Sequence, residues 1–387
     1  MKWMITEDKL GQDQIEVIDE IGKINNKPIW IKGHAGSGKS VLLLHSLADY
    51  LVRKPSANVC VVVFTRALVD LLETGLRQIS KLNGKNIPVL TIYQLKYRID
   101  NGMVRYDAIF CDEVQDLPLE FIQSMKSRCN HLIIAGDAEQ SIYNSVPIWN
   151  QQPASSSEIQ KNIAPIEKKL GVIYRLTESV LKMLKNVFPT MLNDMPNIEK
   201  IDVDIKLFKA PSSSSEISFC WQQAKSDKIN RPSEMNTILL WGRNAIIQFA
   251  NQVLRIEGKS EWTRVNRYSD EPDFGRLNEH LKANNIPLMY VGNGYGSLVE
   301  AAKYNITIIM TYHSSKGLDF DQVYLPLVGD GMYIKSNINS LLLVALSRSK
   351  SGLFISYTGK IYPSLEKFIS GINAKKIDST DSTEIIF

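Results

Sequence analysis

The chain has 387 residues, 44% of them hydrophobic and 22% charged, with a formal net charge of +4. That length suits two lobes, each able to bury its own core, and the composition excludes disordered and membrane-embedded classes. The positive excess is too small to attract a polyanion through bulk electrostatics, so any nucleic-acid binding must rest on a local groove.

The first residues, Met1 to Asp8, mix charge with single apolar side chains and carry no signal-type apolar run, and no stretch of the chain approaches 18 uninterrupted apolar residues. A cytoplasmic protein without a membrane partner is expected. Short apolar runs that end at Gly, Thr or Asp then alternate with helix-period segments, the pattern of βα units around a parallel sheet. Strands are predicted at Pro28–Ile31, Asn58–Phe64, Asp107–Cys111 and His131–Ala135, with helices starting near Ser40, Arg66 and Pro118. The Ser-, Gln- and Pro-rich stretch from Asn144 to Lys161 reads as a loop, which sets a first lobe at 1–165.

A second α/β lobe, 166–371, is predicted from strands at Asn236–Leu240, Ile286–Val291, Ile306–Met310, Gln322–Leu327 and Leu353–Tyr357. Its helices are Ala245–Arg255, Ile338–Ser347 and Ser364–Ser370. The polar residues 372–387 lack any apolar period and read as a mobile tail. Cys60, Cys111, Cys129 and Cys220 show neither CxxC spacing nor histidine partners, so they read as reduced core residues rather than metal ligands.

Gly33-His34-Ala35-Gly36-Ser37-Gly38-Lys39-Ser40 fits G-x-x-x-x-G-K-[ST] between an apolar strand and a helix. Glycines let backbone N–H groups turn inward around phosphates, Lys39 neutralises the β and γ phosphates of ATP, and the Ser40 hydroxyl is a ligand for Mg²⁺. Ile109-Phe110-Cys111-Asp112-Glu113 supplies a second apolar run ending in two carboxylates. Asp112 would hold the metal and Glu113 would orient or deprotonate the attacking water. The bland alternative for this pair is the start of the helix that begins near Pro118.

Asp112-Glu113-Val114-Gln115-Asp116 is followed by Gly136-Asp137-Ala138-Glu139-Gln140-Ser141-Ile142-Tyr143, then Tyr174-Arg175, Thr311 to Phe320 with Ser314-Ser315-Lys316-Gly317, and Val344 to Lys350 around Arg348. In this order the motifs resemble UvrD/Rep-type superfamily 1 helicases over residues 10 to 358. The resemblance implies two RecA-like P-loop lobes with a nucleotide cleft between them. On one wall it sets Gly33, Gly36, Ser37, Gly38, Lys39, Ser40, Asp112, Glu113 and Gln140, and on the other Gly317 with Arg175 and Arg348 as arginine fingers, each worth roughly 10³–10⁵ in rate. It also implies that Gln14 reads the adenine edge and Tyr174 stacks on its face. Phe64, Thr65, Thr91, Tyr93, Tyr143, Thr311 and His313 fall at its strand-contacting positions, although aromatics on apolar strands equally suit a core.

The family's tryptophan after Ile-Tyr is replaced here by Asn144-Ser145, with Trp149 a candidate substitute, and Ser347 stands where the family usually has Thr. The intervals Thr65 to Asp107 and Arg243 to Ile306 leave no room for the family's full accessory subdomains. The expected activity is therefore ATP-driven movement on single-stranded nucleic acid, DNA favoured over RNA, with 3′ to 5′ polarity implied by the resemblance alone. The alternative is a nucleotide-switched ATPase subunit whose protein partner supplies the missing accessory function.

Overall fold

The protein is described by a computed structural model covering residues 3–377, except 24–26, 35, 103, 137–149, 172–179, 181–183, 186–203, 268–269, 330–331, 333–337 and 370–374. The chain divides into two compact units, Met1–Arg175 and Leu176–Phe387.

In the first unit, six strands form one wholly parallel sheet: β1 (Ile29–Lys32), β2 (Val59–Val63), β3 (Val89–Thr91), β4 (Tyr106–Cys111), β5 (Cys129–Gly136) and β6 (Ile166–Lys169). Their order across the sheet is β3-β2-β4-β5-β1-β6. β2 is Val-Cys-Val-Val-Val with all five residues buried, as a β-branched strand covered on both faces requires. The covering helices are α1 (Gln12–Gly22), α2 (Lys39–Arg53), α3 (Arg66–Gln78), α4 (Ile92–Asp100), α5 (Leu119–Ser127) and α6 (Ser156–Ile163). α2 presses Leu42, Leu43, Leu44, Leu47 and Leu51 inward, each worth roughly 1.5–3 kcal/mol when fully buried.

In the second unit a seven-stranded sheet, also parallel in every pairing, has the order β13-β7-β12-β11-β8-β10-β9. Its strands are β7 (Asp204–Ala210), β8 (Asn236–Leu240), β9 (Leu288–Tyr290), β10 (Thr307–Thr311), β11 (Phe320–Leu325), β12 (Ser349–Thr358) and β13 (Lys375–Ile377). Helices α7 (Ser213–Asn230), α8 (Arg243–Ile256), α9 (Phe274–Ala283), α10 (Leu298–Lys303), α11 (Ile338–Leu346) and α12 (Pro363–Ile369) complete it. Both units are RecA-like lobes. Among the described residues, no subdomain is inserted between β2 and β4 or between β8 and β10. Among the described residues no helix is long and apolar enough to cross a membrane, and all four cysteines are free and buried.

Three features differ from the sequence expectation. Part of the stretch taken as a loop is α6: Ser155 accepts from the Glu158 N–H while the Glu158 carboxylate accepts from Ser155 N–H, and Ile159 and Ile163 are buried one turn apart. β6 pairs with β1, so the first unit extends through Arg175 rather than ending at 165. Residues 375–377, placed in the polar tail, form edge strand β13, where pairing to a single neighbour needs only a short run.

Candidate nucleotide site

The site grows from the carboxyl ends of β1 and β4, where a parallel sheet opens its ligand crevice. After β1 the chain turns through the Gly-rich loop into α2. Gly36 and Gly38 both take φ 81°, a left-handed backbone that a side chain would strain by about 1–2 kcal/mol. Gly38 is the N-cap of α2, so the first turn of that helix presents N–H groups with no intrahelical partner toward the loop. These N–H groups and the helix's positive end suit a phosphate.

Lys39 Nζ donates to the carbonyls of Gly33 at 2.6 Å and His34 at 2.9 Å, which holds the ammonium over the loop. Ser37 is buried, and the position beside it suits Gly33 because a Cβ there would lie 2.4 Å from Ser37 Oγ.

Ser40 Oγ donates to Asp112 Oδ2 at 2.5 Å, joining the start of α2 to the end of β4. Asp112 is only 2% exposed. Burial and the neighbouring Glu113 push its carboxyl up to about 6, against the pull of the Ser40 hydroxyl and the Lys39 charge. A carboxylate held in that state is short of positive charge. The oxygen donors present, a serine hydroxyl and one buried carboxylate with a second beside it, fit a hard divalent cation that takes its remaining ligands from phosphate and water.

Glu113 is half-buried and sits at φ 56°, ψ 43°, an uncommon conformation for a residue with a side chain. Its N–H donates to Asp112 Oδ1 at 3.0 Å, and its carboxylate Oε2 accepts from Gln115 Nε2. The helix-start alternative for this pair fails, because α5 begins at Leu119 with Pro118 as its N-cap and a 3₁₀ turn, Val114–Asp116, lies between. Gln14, in the first turn of α1, is 1% exposed, and its Oε1 accepts from Gly11 N–H at 3.0 Å.

In the second unit the turn after β10 is knitted by its own hydroxyls. Thr311 Oγ1 donates to Ser314 Oγ at 3.0 Å and accepts from Ser314 N–H, and Ser315 Oγ donates to the Tyr312 carbonyl. Gly317 closes the turn at φ 77°. Arg348 is buried, its guanidinium donating to the carbonyls of Val344 and Leu318 and to Ser347 Oγ. The structure thereby brings Gly317-Leu318 and Arg348 together, and the Ser347 hydroxyl, present in place of Thr, has a defined use.

The family model for an AAA domain matches residues 14–146. That for a UvrD-like helicase C-terminal domain matches residues 295–360. The two follow one another in order and together span just over half of the chain. The chain thus carries an AAA domain followed by a UvrD-like helicase C-terminal domain. No curated protein matches it. Similar solved structures include an arterivirus nonstructural protein 10 helicase, at 14% identity over 87% of this chain and 61% of that one with TM-score 0.41. The PRRSV helicase has 12% identity over 88% of this chain and 54% of that one, also at 0.41. The C-terminal domain of a possible DNA helicase from Lactobacillus plantarum WCFS1 has 15% identity over 54% of this chain and 99% of that one, at 0.34. The chain thus spans less than two thirds of the length of either viral helicase.

Of the superfamily 1 positions expected to touch a strand, Thr65 and Thr91 lie at the ends of neighbouring strands, since Val63 pairs with Thr91. Each hydroxyl caps a helix, Thr65 accepting from Leu68 N–H and Thr91 from Gln94 N–H. Two helix starts therefore stand side by side. Phe64 is buried in the core of the first unit and meets Tyr93 edge to face at 6.5 Å, while Tyr93 is exposed. An open stacking face belongs to Tyr93 and not to Phe64. Thr311 is buried and His313 half-buried. Gln140, Tyr143, Trp149, Tyr174 and Arg175 lie outside the described residues. Gln115, on Glu113, and exposed Arg66, first residue of α3, carry no assignment from sequence; both stand beside assigned motif residues, and that adjacency was the available signal.

Proposed function

We propose that this helicase-family chain hydrolyses ATP and uses the cycle to move along single-stranded nucleic acid, DNA in preference to RNA, with 3′ to 5′ polarity. The observation that carries this reading is the contact of Ser40 Oγ with Asp112 Oδ2 beneath a glycine-built loop, beside Lys39 and a Glu113 held in a rare backbone conformation. Ser40 and Asp112 are the residues that would hold Mg²⁺, which when bound supplies charge neutralisation at the phosphates. Lys39 exchanges the Gly33 and His34 carbonyls for phosphate oxygens, and Gln14 addresses the adenine edge through its amide. Glu113 takes a proton from water as the water oxygen bonds to the γ-phosphorus and the bond from that phosphorus to the ADP oxygen breaks. The resemblance would assign Arg175, Arg348 and Gln140 to stabilising the charge on the γ-phosphoryl group.

The strand would lie on Tyr93 by base stacking, with phosphates at the N–H groups that open α3 and α4 and at the Arg66 guanidinium. Backbone and stacking contacts of this kind are sequence-tolerant. A second reading, a nucleotide-switched subunit that needs a protein partner, is favoured by one observation: among the described residues, the intervals β2 to β4 and β8 to β10 hold no inserted subdomain to grip duplex.

Steady-state ATP hydrolysis at low salt, with and without single-stranded DNA or RNA, separates the two. The motor predicts strong stimulation by single strands, greater with DNA, and faster release of a roadblock from the 5′ end than from the 3′ end of a strand. Hydrolysis that neither polymer accelerates would sink the autonomous motor and leave the partner-dependent switch.

A further inference from the structure

The Glu113 carboxylate is gripped by Gln115, two residues later, through a bond from Gln115 Nε2 to Glu113 Oε2. The grip depends on three features that composition alone does not demand. Glu113 adopts φ 56°, which turns the chain tightly enough for residue 115 to fold back on residue 113. Gln115 is 2% exposed, in a turn with Val114 and Asp116 also buried, so its amide is held by packing and is not exchanged for water. The third is Gly136, the last residue of β5. A Cβ there would lie 2.1 Å from Gln115 Oε1, 2.9 Å from a Val114 methyl carbon and 3.0 Å from Val114 N. Only a residue without a side chain leaves the space that the Gln115 amide fills.

We infer that Gln115 is a positioning residue for Glu113, and that Gly136 exists at that position to admit it. The inference rests on the reading of Glu113 as the group that takes the water's proton. A carboxylate on a flexible side chain samples several rotamers, and a base displaced by an ångström loses about 100-fold in rate. Donation to Oε2 fixes the carboxylate plane. Gln115 touches neither phosphate nor water in this scheme and acts only through Glu113. Because Gly136 directly precedes Asp137-Ala138-Glu139-Gln140, the same contact ties the start of that motif to the Glu113 side chain.

The test is a mutant cycle in turnover and binding. Gln115→Met keeps the size of the side chain and removes the donor. It is expected to lower kcat about 10- to 100-fold while leaving the Kd of a fluorescent ATP analogue within about twofold. Placed on Glu113→Gln, it should change residual turnover no further, because a residue that acts through Glu113 has nothing left to position. Gly136→Ala approaches from the other side and should give the same loss of kcat, with no added loss on Gln115→Met; it serves if the Met variant does not fold, judged by thermal midpoint. An unchanged kcat in Gln115→Met, or losses that multiply with Glu113→Gln, would overturn the inference while the ATPase reading stands. A wild-type chain that hydrolyses no ATP would overturn that reading, and the inference with it.

Discussion

Two buried carboxylates, one in each unit, contrast an acid proposed to meet a ligand with a structural one. Asp112 in the first unit and Glu216 in the second are both removed from water, and burial raises both above the usual carboxylate range. Glu216, on α7, is fully answered: it accepts from Leu327 N–H at 2.5 Å, Thr358 Oγ1 at 2.7 Å and Ser356 Oγ at 3.1 Å, tying α7 to β12 and to the turn after β11. Asp112 accepts from the Ser40 hydroxyl and the Glu113 N–H but has a second carboxylate beside it, at the mouth of a loop built from left-handed glycines. The difference is balance. A structural acid has its donors supplied by the fold, whereas the nucleotide site keeps negative charge in excess and a backbone strained around it, the pattern expected where a ligand completes the electrostatics.

That contrast can be broken by substitutions which should separate activity from stability. Lys39→Ala has the largest expected effect, a loss of about 10³-fold or more in kcat/KM for ATP with little change in thermal midpoint; a normal turnover number would remove the P-loop from the mechanism. Glu216→Ala should do the reverse, costing about 2–4 kcal/mol in urea unfolding by leaving three donors without their acceptor, while nucleotide affinity of the folded protein is unchanged. Gly38→Ala lies between the two. Its strain of about 1–2 kcal/mol at φ 81° should appear as weaker nucleotide binding, because the loop relaxes by moving its N–H groups.

The smallest effect concerns His131 on β5, fully buried beside Tyr50. Burial, reinforced by the Lys54 charge, lowers its pKa from 6.5 to about 4. With the folded value below the unfolded one, the stability it permits is complete above pH 6.5 and drains away as pH falls from 6.5 toward 4. His131→Phe should therefore flatten the acid limb of urea midpoints in that window; an unchanged limb would mean that other groups govern it.

How much of this was legible in the sequence follows the same physics. Strands β1, β2, β4, β5, β8 and β10 were readable to within about two residues because parallel strands covered on both faces are continuous apolar runs, and the motif residues mark where they end. β6, Ile166-Glu167-Lys168-Lys169, lies at a sheet edge and carries charge instead of apolar pattern, so the lobe boundary was set too early. α7 was missed because Glu216 and Lys228 occupy buried positions on it, which blurs the apolar stripe. Within the candidate site, Lys39, Ser40, Asp112 and Glu113 were singled out because phosphate chemistry restricts the residue types that suit it, and the structure brings Ser40 and Asp112 into contact. What the sequence could not give was use: Phe64 proves to be core, Thr65 and Thr91 prove to be helix caps, and the hold of Gln115 on Glu113 depends on a left-handed residue and a missing Cβ that only coordinates reveal.

The most direct measurement compares Glu113→Gln with the wild type in two assays on the same preparations, binding of a fluorescent ATP analogue and ATP hydrolysis with saturating single-stranded DNA. Glu113 as the proton acceptor predicts binding within about twofold and hydrolysis lowered about 10²–10⁴-fold. Hydrolysis retained in the variant, or lost together with binding, would contradict the assignment of Glu113 and with it the account of how this site works.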